Sequence, residues 1–187
     1  MANHITNYIE IRNSNPSVLA EVEKIFKTKE GQYDTDTEQL AQGVYGDEYP
    51  GEYERSWIIE NCGAKWFHGM IDEGGEDYIN IQMESAWDAP SEWVVKLTEK
   101  LVAIKSDIII TNTYEDEGYN FVGVHLCAKH EDEHLQLDME EYDLEKVWDD
   151  DDVRDRLYDD QYTLKDELLA NYAELLLDME KNPADYK

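Results

Sequence analysis

The order in which two periodicities alternate along this chain narrows its fold more than any single motif does. Residues 4 to 11 alternate strictly, with Ile5, Asn7, Ile9 and Ile11 on one side and His4, Thr6, Tyr8 and Glu10 on the other, the period-two pattern of a half-buried strand. Asn15 and Pro16 then supply a cap and a first helical residue, and Val18, Leu19, Val22, Ile25 and Phe26 recur at helical spacing, which predicts a helix to about Lys29. Trp57-Ile58-Ile59 and the alternating Ile79, Ile81, Met83 and Ser85 predict the second and third strands. Asp88-Ala89-Pro90 opens a second helix striped by Trp93, Val94, Leu97, Leu101 and Val102, and the β-rich run from Asp107 to Tyr114 follows as a fourth strand. Strand, helix, strand, strand, helix, strand predicts an α+β fold, a ferredoxin-like βαββαβ antiparallel sheet. The alternating run from Asn120 to Ala128, after the turn Glu115 to Gly118, adds one more hairpin strand.

Two stretches fall outside that frame. Residues 31 to 55 are rich in Tyr, Gly and acids, including Tyr33, Tyr45, Tyr49 and Tyr53, and read as an ordered insertion with one helical turn near Glu38 to Gln42. From 131 to 187 there are 21 acids and 6 bases, against 24 and 10 in residues 1 to 130. Leu164, Leu168, Leu169, Tyr172, Leu175, Leu176 and Met179 form an amphipathic stripe there, with Thr163 as its cap and Pro183 near its end. The expected organisation is a domain over 1–130, with the insertion at 31–55, and an acidic, mainly helical extension over 131–187 docked on it.

Charge excludes whole classes of partner. The formal charge is −29, so phosphates and anionic membrane surfaces are repelled, and direct nucleic-acid or membrane binding is not expected. Hydrophobic residues at 41% and 13 Tyr with 5 Trp are nevertheless enough for a packed core. Met1 to Thr6 has neither the basic nor the apolar region of a secretion signal, and no aliphatic run exceeds the four residues Leu101 to Ile104, so a cytoplasmic protein is expected. Cys62 and Cys127, with no paired CxxC spacing, are expected to be reduced thiols, with no metal and no cofactor assigned.

Four segments carry a family resemblance: Asn3-His4-Ile5-Thr6-Asn7; Trp57 with Asn61-Cys62-Gly63-Ala64-Lys65-Trp66; Ser85-Ala86-Trp87-Asp88-Ala89-Pro90; and Tyr114-Glu115-Asp116-Glu117-Gly118-Tyr119-Asn120-Phe121-Val122-Gly123. Over residues 3 to 128 the chain resembles the YubB-type ferredoxin-like domain family of phage and plasmid proteins. That family's middle motif usually reads N-W-G-T-K-W; here Cys62 and Ala64 replace a Trp and a Thr. The resemblance implies a mobile-element protein working in a bacterial host cytoplasm, with no agreed biochemistry and no iron–sulfur cluster.

Several motifs bear on chemistry. His130-Glu131-Asp132-Glu133-His134 matches H-E-x-x-H, which on a helix would hold zinc with Glu131 as general base. Flanked by the alternating runs Val122 to Ala128 and Leu135 to Met139, it reads instead as a polar hairpin turn. Asp34 to Tyr45 lacks the Gly and the bidentate Glu of a calcium loop, and no Gly-rich phosphate loop exists. Asn61, Lys65 and Trp66 suit either a ligand pocket or a Lys stem lying over a Trp, and Tyr45, Tyr49 and Tyr53 either a contact patch or a cap on the sheet.

The carboxylates carry the functional expectation. If residues 149 to 160 are helical, Val153 and Leu157 turn inward while Asp151, Asp155 and Asp159 align outward, about 6 Å apart along the axis. With Asp149, Asp150, Asp152 and Asp160 they form an acidic surface spaced like the phosphates of one nucleic-acid strand. The expected function is therefore that of a phage or plasmid accessory protein inhibiting a host defence system, of restriction or CRISPR type, by nucleic-acid mimicry. Its partner would be a cationic, nucleic-acid-binding host protein or complex, and no catalysis is needed. The alternatives are a zinc-dependent hydrolase through His130, Glu131 and His134, and a binding module using the Asn61 to Trp66 surface.

Overall fold

The computed structural model describes residues 3–27 and 34–182. Its centre is a six-stranded, wholly antiparallel sheet built from β1 (His4–Arg12), β2 (Phe67–Gly74), β3 (Tyr78–Ala86), β4 (Ile109–Asp116), β5 (Val122–Ala128) and β6 (Glu131–Gln136). Their order across the sheet is β2-β3-β1-β4-β5-β6. The helices are α1 (Pro16–Ile25), α2 (Thr37–Tyr45), α3 (Arg55–Cys62), α4 (Ser91–Val102), α5 (Leu144–Val147) and α6 (Asp151–Lys181).

The alternation of β1 decides what covers each face. Ile5, Asn7, Ile9 and Ile11 are buried, and Ile9 and Ile11 join Ile79, Ile81, Met83, Ile110 and Cys127 in a core closed by Val18, Val22, Leu40, Ile58, Trp93, Val94 and Leu97 from α1 to α4. Burying a large aliphatic side chain contributes roughly 1.5–3 kcal/mol, so this layer is the main stabilising one. Asn15 caps α1 by accepting from the amides of Ser17 and Val18, both at 2.9 Å, and Pro16 occupies its first turn.

The opposite face is covered unevenly. α6 packs Leu168 and Tyr172 on Val124 and Leu126 of β5, and Leu157 joins Tyr119, Val122 and Val147. Gln161, in mid-helix and buried, donates to the carbonyls of Tyr114 and Gly123, both at 3.1 Å. Gly123 is glycine for a reason of space: a Cβ there would lie 2.7 Å from both the Leu135 carbonyl oxygen and the Tyr114 hydroxyl. The acidic stretch that begins at 131 therefore starts as the sixth strand before turning helical.

Four expectations need correction. Trp57-Ile58-Ile59 is not a strand but the middle of α3; with Ile58 and Cys62 buried, the spacing is helical, and Gly63 at φ +86° ends it. A three-residue apolar run cannot by itself separate the two periods. The insertion is more helical than one turn, since α2 runs nine residues behind an Asp36 cap. Thr163 caps nothing: α6 starts twelve residues earlier behind Asp150, and the Thr163 hydroxyl donates to the Asp159 carbonyl at 2.9 Å inside the helix. α1 ends at Ile25, and the expectations placed on Lys29, Tyr33 and Pro183 lie outside the described residues.

Candidate functional site

The acidic face rests on rigid structure. α6 is 31 residues long, about 46 Å, and of its ten acids only Asp160 is not exposed. Asp151, Asp155 and Asp159 lie on the outward side while Leu157 is buried, with Val153 partly buried among Tyr119, Val122 and Val147. Asp149 and Asp152 are exposed beside them, and Asp150 accepts from the Asp152 amide at 3.1 Å as the helix cap. The row is not purely anionic: Arg154 pairs with Asp151, and Arg156 with Asp160 at 3.5 Å, which also accepts from the Tyr142 hydroxyl at 2.6 Å. Among the described residues, Asp152, Asp155 and Asp159 make no ion pair.

Between α6 and the uncovered half of the sheet lies a cleft of about 550 Å³ lined by Tyr8, Glu10, Gln82, Tyr158, Tyr162 and Lys165. Burial works to raise the Glu10 carboxyl, but hydrogen bonds and charge from Arg12 and Lys165 outweigh it and hold it below the ordinary value. Glu115 is raised by burial, partly offset by a hydrogen bond with Tyr158.

The Asn61 to Trp66 surface has a different character. Tyr45 donates to the Asn61 carbonyl and meets the Trp57 ring edge-on at 5.0 Å, and Tyr49, 6% exposed, does so at 5.3 Å. Asn61 donates to Trp57 within α3 at 2.9 Å, and Tyr53, half-exposed, to the Lys65 carbonyl at 2.9 Å. Lys65 does not lie on Trp66. Its Nζ sits 4.8 Å from the centre of the Trp87 ring, and the Arg55 guanidinium sits 4.7 Å from the same ring. Trp87 is 45% exposed and holds φ +78°, a conformation unusual for so bulky a side chain. Trp66 stacks on His68 at 5.6 Å and meets His4 at 5.3 Å, and Glu84 joins both imidazoles, 2.6 Å from His4 and 3.2 Å from His68.

The four segments that carry the resemblance meet at one end of the sheet. The Trp87 amide donates to the Asn3 carbonyl, Lys65 to Ala86, and Glu117 to His4. Beneath them Asn112 donates to Asn7, Asn7 to Ser85, and Ser85 to the Asp88 carbonyl, all within 3.0 Å.

The H-E-x-x-H string is spread over a turn and a strand. Lys129 and His130 form the turn and Glu131 to His134 belong to β6, so the helical spacing that would converge His130 and His134 is not formed. A different group assembles on that hairpin. Pairing sets His134 opposite His125 and Asp132 opposite Cys127, all on the α4 side. His125 Nε2 lies 2.7 Å from Asp132 Oδ1 and 2.7 Å from Cys127 Sγ, and the two imidazoles stack at 3.7 Å. Burial, and then His134, lower the His125 pKa to about 4 against the pull of Asp132, while burial pushes the Cys127 thiol up. From sequence His125 carries no assignment and Cys127 only that of a reduced thiol without a metal; the symmetry of H-x-C and D-x-H about the turn is what announces the group, and it is visible only once β6 is known to be a strand.

Compared with models of protein families, with curated proteins and with solved structures, the chain matches none. Among the described residues no helix is long and apolar enough to cross a membrane.

Proposed function

We propose that this chain is a phage or plasmid accessory protein that blocks a host nucleic-acid-handling defence complex by occupying its cationic cleft as a nucleic-acid mimic. The observation that carries this is the display of nine exposed acids along a single 31-residue helix fixed to a sheet. Concentrating like charge on ordered structure costs stability through self-repulsion, a cost that a cationic partner offsets. A partner adapted to phosphates meets a line of carboxylates at helical intervals, and binding releases counterions as it would from DNA. The protein itself binds no nucleic acid, and no cofactor is required.

The finer fold assignment belongs to the same proposal. The order β2-β3-β1-β4, with helices between β1 and β2 and between β3 and β4, supports a ferredoxin-like core to which β5, β6 and α6 are added. The meeting of the four motif segments at one end of the sheet supports membership of the YubB-type family, and with it a bacterial cytoplasmic setting.

One observation favours a second reading, a binding module working through the Asn61 to Trp66 surface. Trp87, exposed at positive φ between Arg55 and Lys65, is a cationic aromatic platform in an otherwise acidic chain.

The test is capture from bacterial lysate on the tagged protein, washed up to about 0.5 M salt, where the Debye length is roughly 4 Å. A nucleic-acid-binding complex retained at low salt and displaced by added DNA or RNA supports mimicry. Retention that survives both salt and competitor overturns it.

A further inference from the structure

The structure assigns a transition-metal site to the β5–β6 hairpin: His125, Cys127 and Asp132 hold one divalent ion of the zinc type, with the fourth position open to solvent. Nothing in the proposed mimicry requires it.

Three donor atoms of different chemistry, an imidazole nitrogen, a thiol sulfur and a carboxylate oxygen, lie within 4.8 Å of one another. The individual separations are 2.7 Å for Nε2 to Sγ, 2.7 Å for Nε2 to Oδ1 and 3.8 Å for Sγ to Oδ1. Zinc bonds of about 2.0–2.3 Å in tetrahedral geometry place such donors roughly 3.3–3.7 Å apart, so seating an ion opens the two short separations by less than about 1 Å. His134 stands outside this donor set: its ring stacks on His125 at 3.7 Å and holds that imidazole in place.

Ordinary packing does not account for these residue types. On the other face of the same strand the inward positions are Val122, Val124 and Leu126, whereas this face carries a fully buried imidazole beside a buried thiol. A buried imidazole whose Nε2 lies 2.7 Å from both a thiol and a carboxylate suits a metal ligand. The α4 side closes it with Thr98, and a cleft of about 470 Å³ lined by Thr98, Glu99, His130, Glu131 and Asp132 gives an ion a route in. Asp132, the half-exposed member, stands at the mouth.

Mixed nitrogen, sulfur and oxygen donors select zinc or cobalt over calcium and magnesium, which take oxygen alone. The ion would join two strands at the sheet's β6 edge, beneath the hairpin on which α6 packs. Its first effect is to fix that edge.

The test uses the full chain, stripped with chelator and titrated with Zn2+ and with Co2+. One ion per chain is expected, with cobalt giving intense tetrahedral d–d bands and a thiolate-to-metal charge-transfer band. Cys127→Ser should remove the charge-transfer band, and Asp132→Asn should weaken binding by tenfold or more. His130→Ala and Cys62→Ser should bind as the parent does. Because Cys127 is buried and its variant can misfold, the exposed Asp132→Asn provides the second arm: at equal zinc concentration the thermal midpoint of the parent chain should rise more than that of Asp132→Asn. Failure of the parent to retain an ion, an unchanged cobalt spectrum in folded Cys127→Ser, or an equal zinc-dependent shift in Asp132→Asn would each overturn the assignment.

Discussion

Lys165 places its Nζ 2.7 Å from Glu10 Oε2, joining the last long helix to the central strand across 155 positions of sequence. Both side chains are largely shielded, at 13% and 27% exposure, and Glu10 is also held by Arg12. Since β4 lies between β1 and β5, this contact reaches past the strand on which α6 mainly packs. Lys165→Met should cost about 1 kcal/mol, above the median for exposed pairs because water is partly excluded. Glu10 titrates below its ordinary value of 4.5 when folded, so the pair's contribution is complete above that pH and is lost as pH falls through the lower folded value. The difference in unfolding free energy between the parent and Lys165→Met should therefore shrink on acidification, as urea melts across pH would measure.

Leu168 is the apolar counterpart of that ion pair. It is 1% exposed against Val124 and Leu126, so Leu168→Ala should destabilise by about 2–5 kcal/mol through lost burial and the cavity left behind. Hydrogen exchange should show the loss first in α6 and β5, with β2 and β3 protected. Uniform loss across the sheet would mean that α6 and the core unfold as one unit.

Both thiols are expected to be inert in the native chain. Burial, then the Glu92 charge, push Cys62 up to about 12 against a hydrogen bond with Tyr45, and Cys127 is also raised by burial. A disulfide reagent at mildly alkaline pH should label neither on the minute timescale and both after denaturation. Rapid labelling of Cys127 alone would report local opening of the β5–β6 hairpin.

What could be read from the sequence follows how each element is buried. β1, β3 and α4 each present one apolar face to one neighbour, so period two or period 3.6 appears cleanly in His4 to Arg12, Tyr78 to Ala86 and the Trp93-to-Leu101 stripe. α3 buries only Ile58 and Cys62 over eight residues, too little to show its period. α6 defeats the search for its start differently: before Leu164 its buried residues are Leu157 and Gln161, with Val153 only partly buried, and a buried glutamine satisfied by two carbonyls does not look like core. The acidic row was legible because it needs only helical spacing. The His125 group was not, because its members converge through cross-strand pairing between residues that look unrelated along the chain.

The two surfaces make opposite demands on one pair of variants. Asp152, Asp155 and Asp159 are exposed and support no ion pair among the described residues, so changing all three to Asn removes charge without removing packing. Folding should be unchanged or slightly stabilised, since self-repulsion falls. Arg55 and Lys65 each lie over Trp87, where an exposed cation–π contact contributes about 0.5–1 kcal/mol, so Lys65→Ala should also fold. If mimicry operates, the triple Asn variant should lose the partner at low salt, with a flatter dependence of affinity on salt because fewer counterions are released, and Lys65→Ala should bind like the parent. If the Trp87 platform makes the contact, the pattern inverts. Binding isotherms for both variants at two salt concentrations decide between them, because the slope with salt counts charges engaged while the intercept does not.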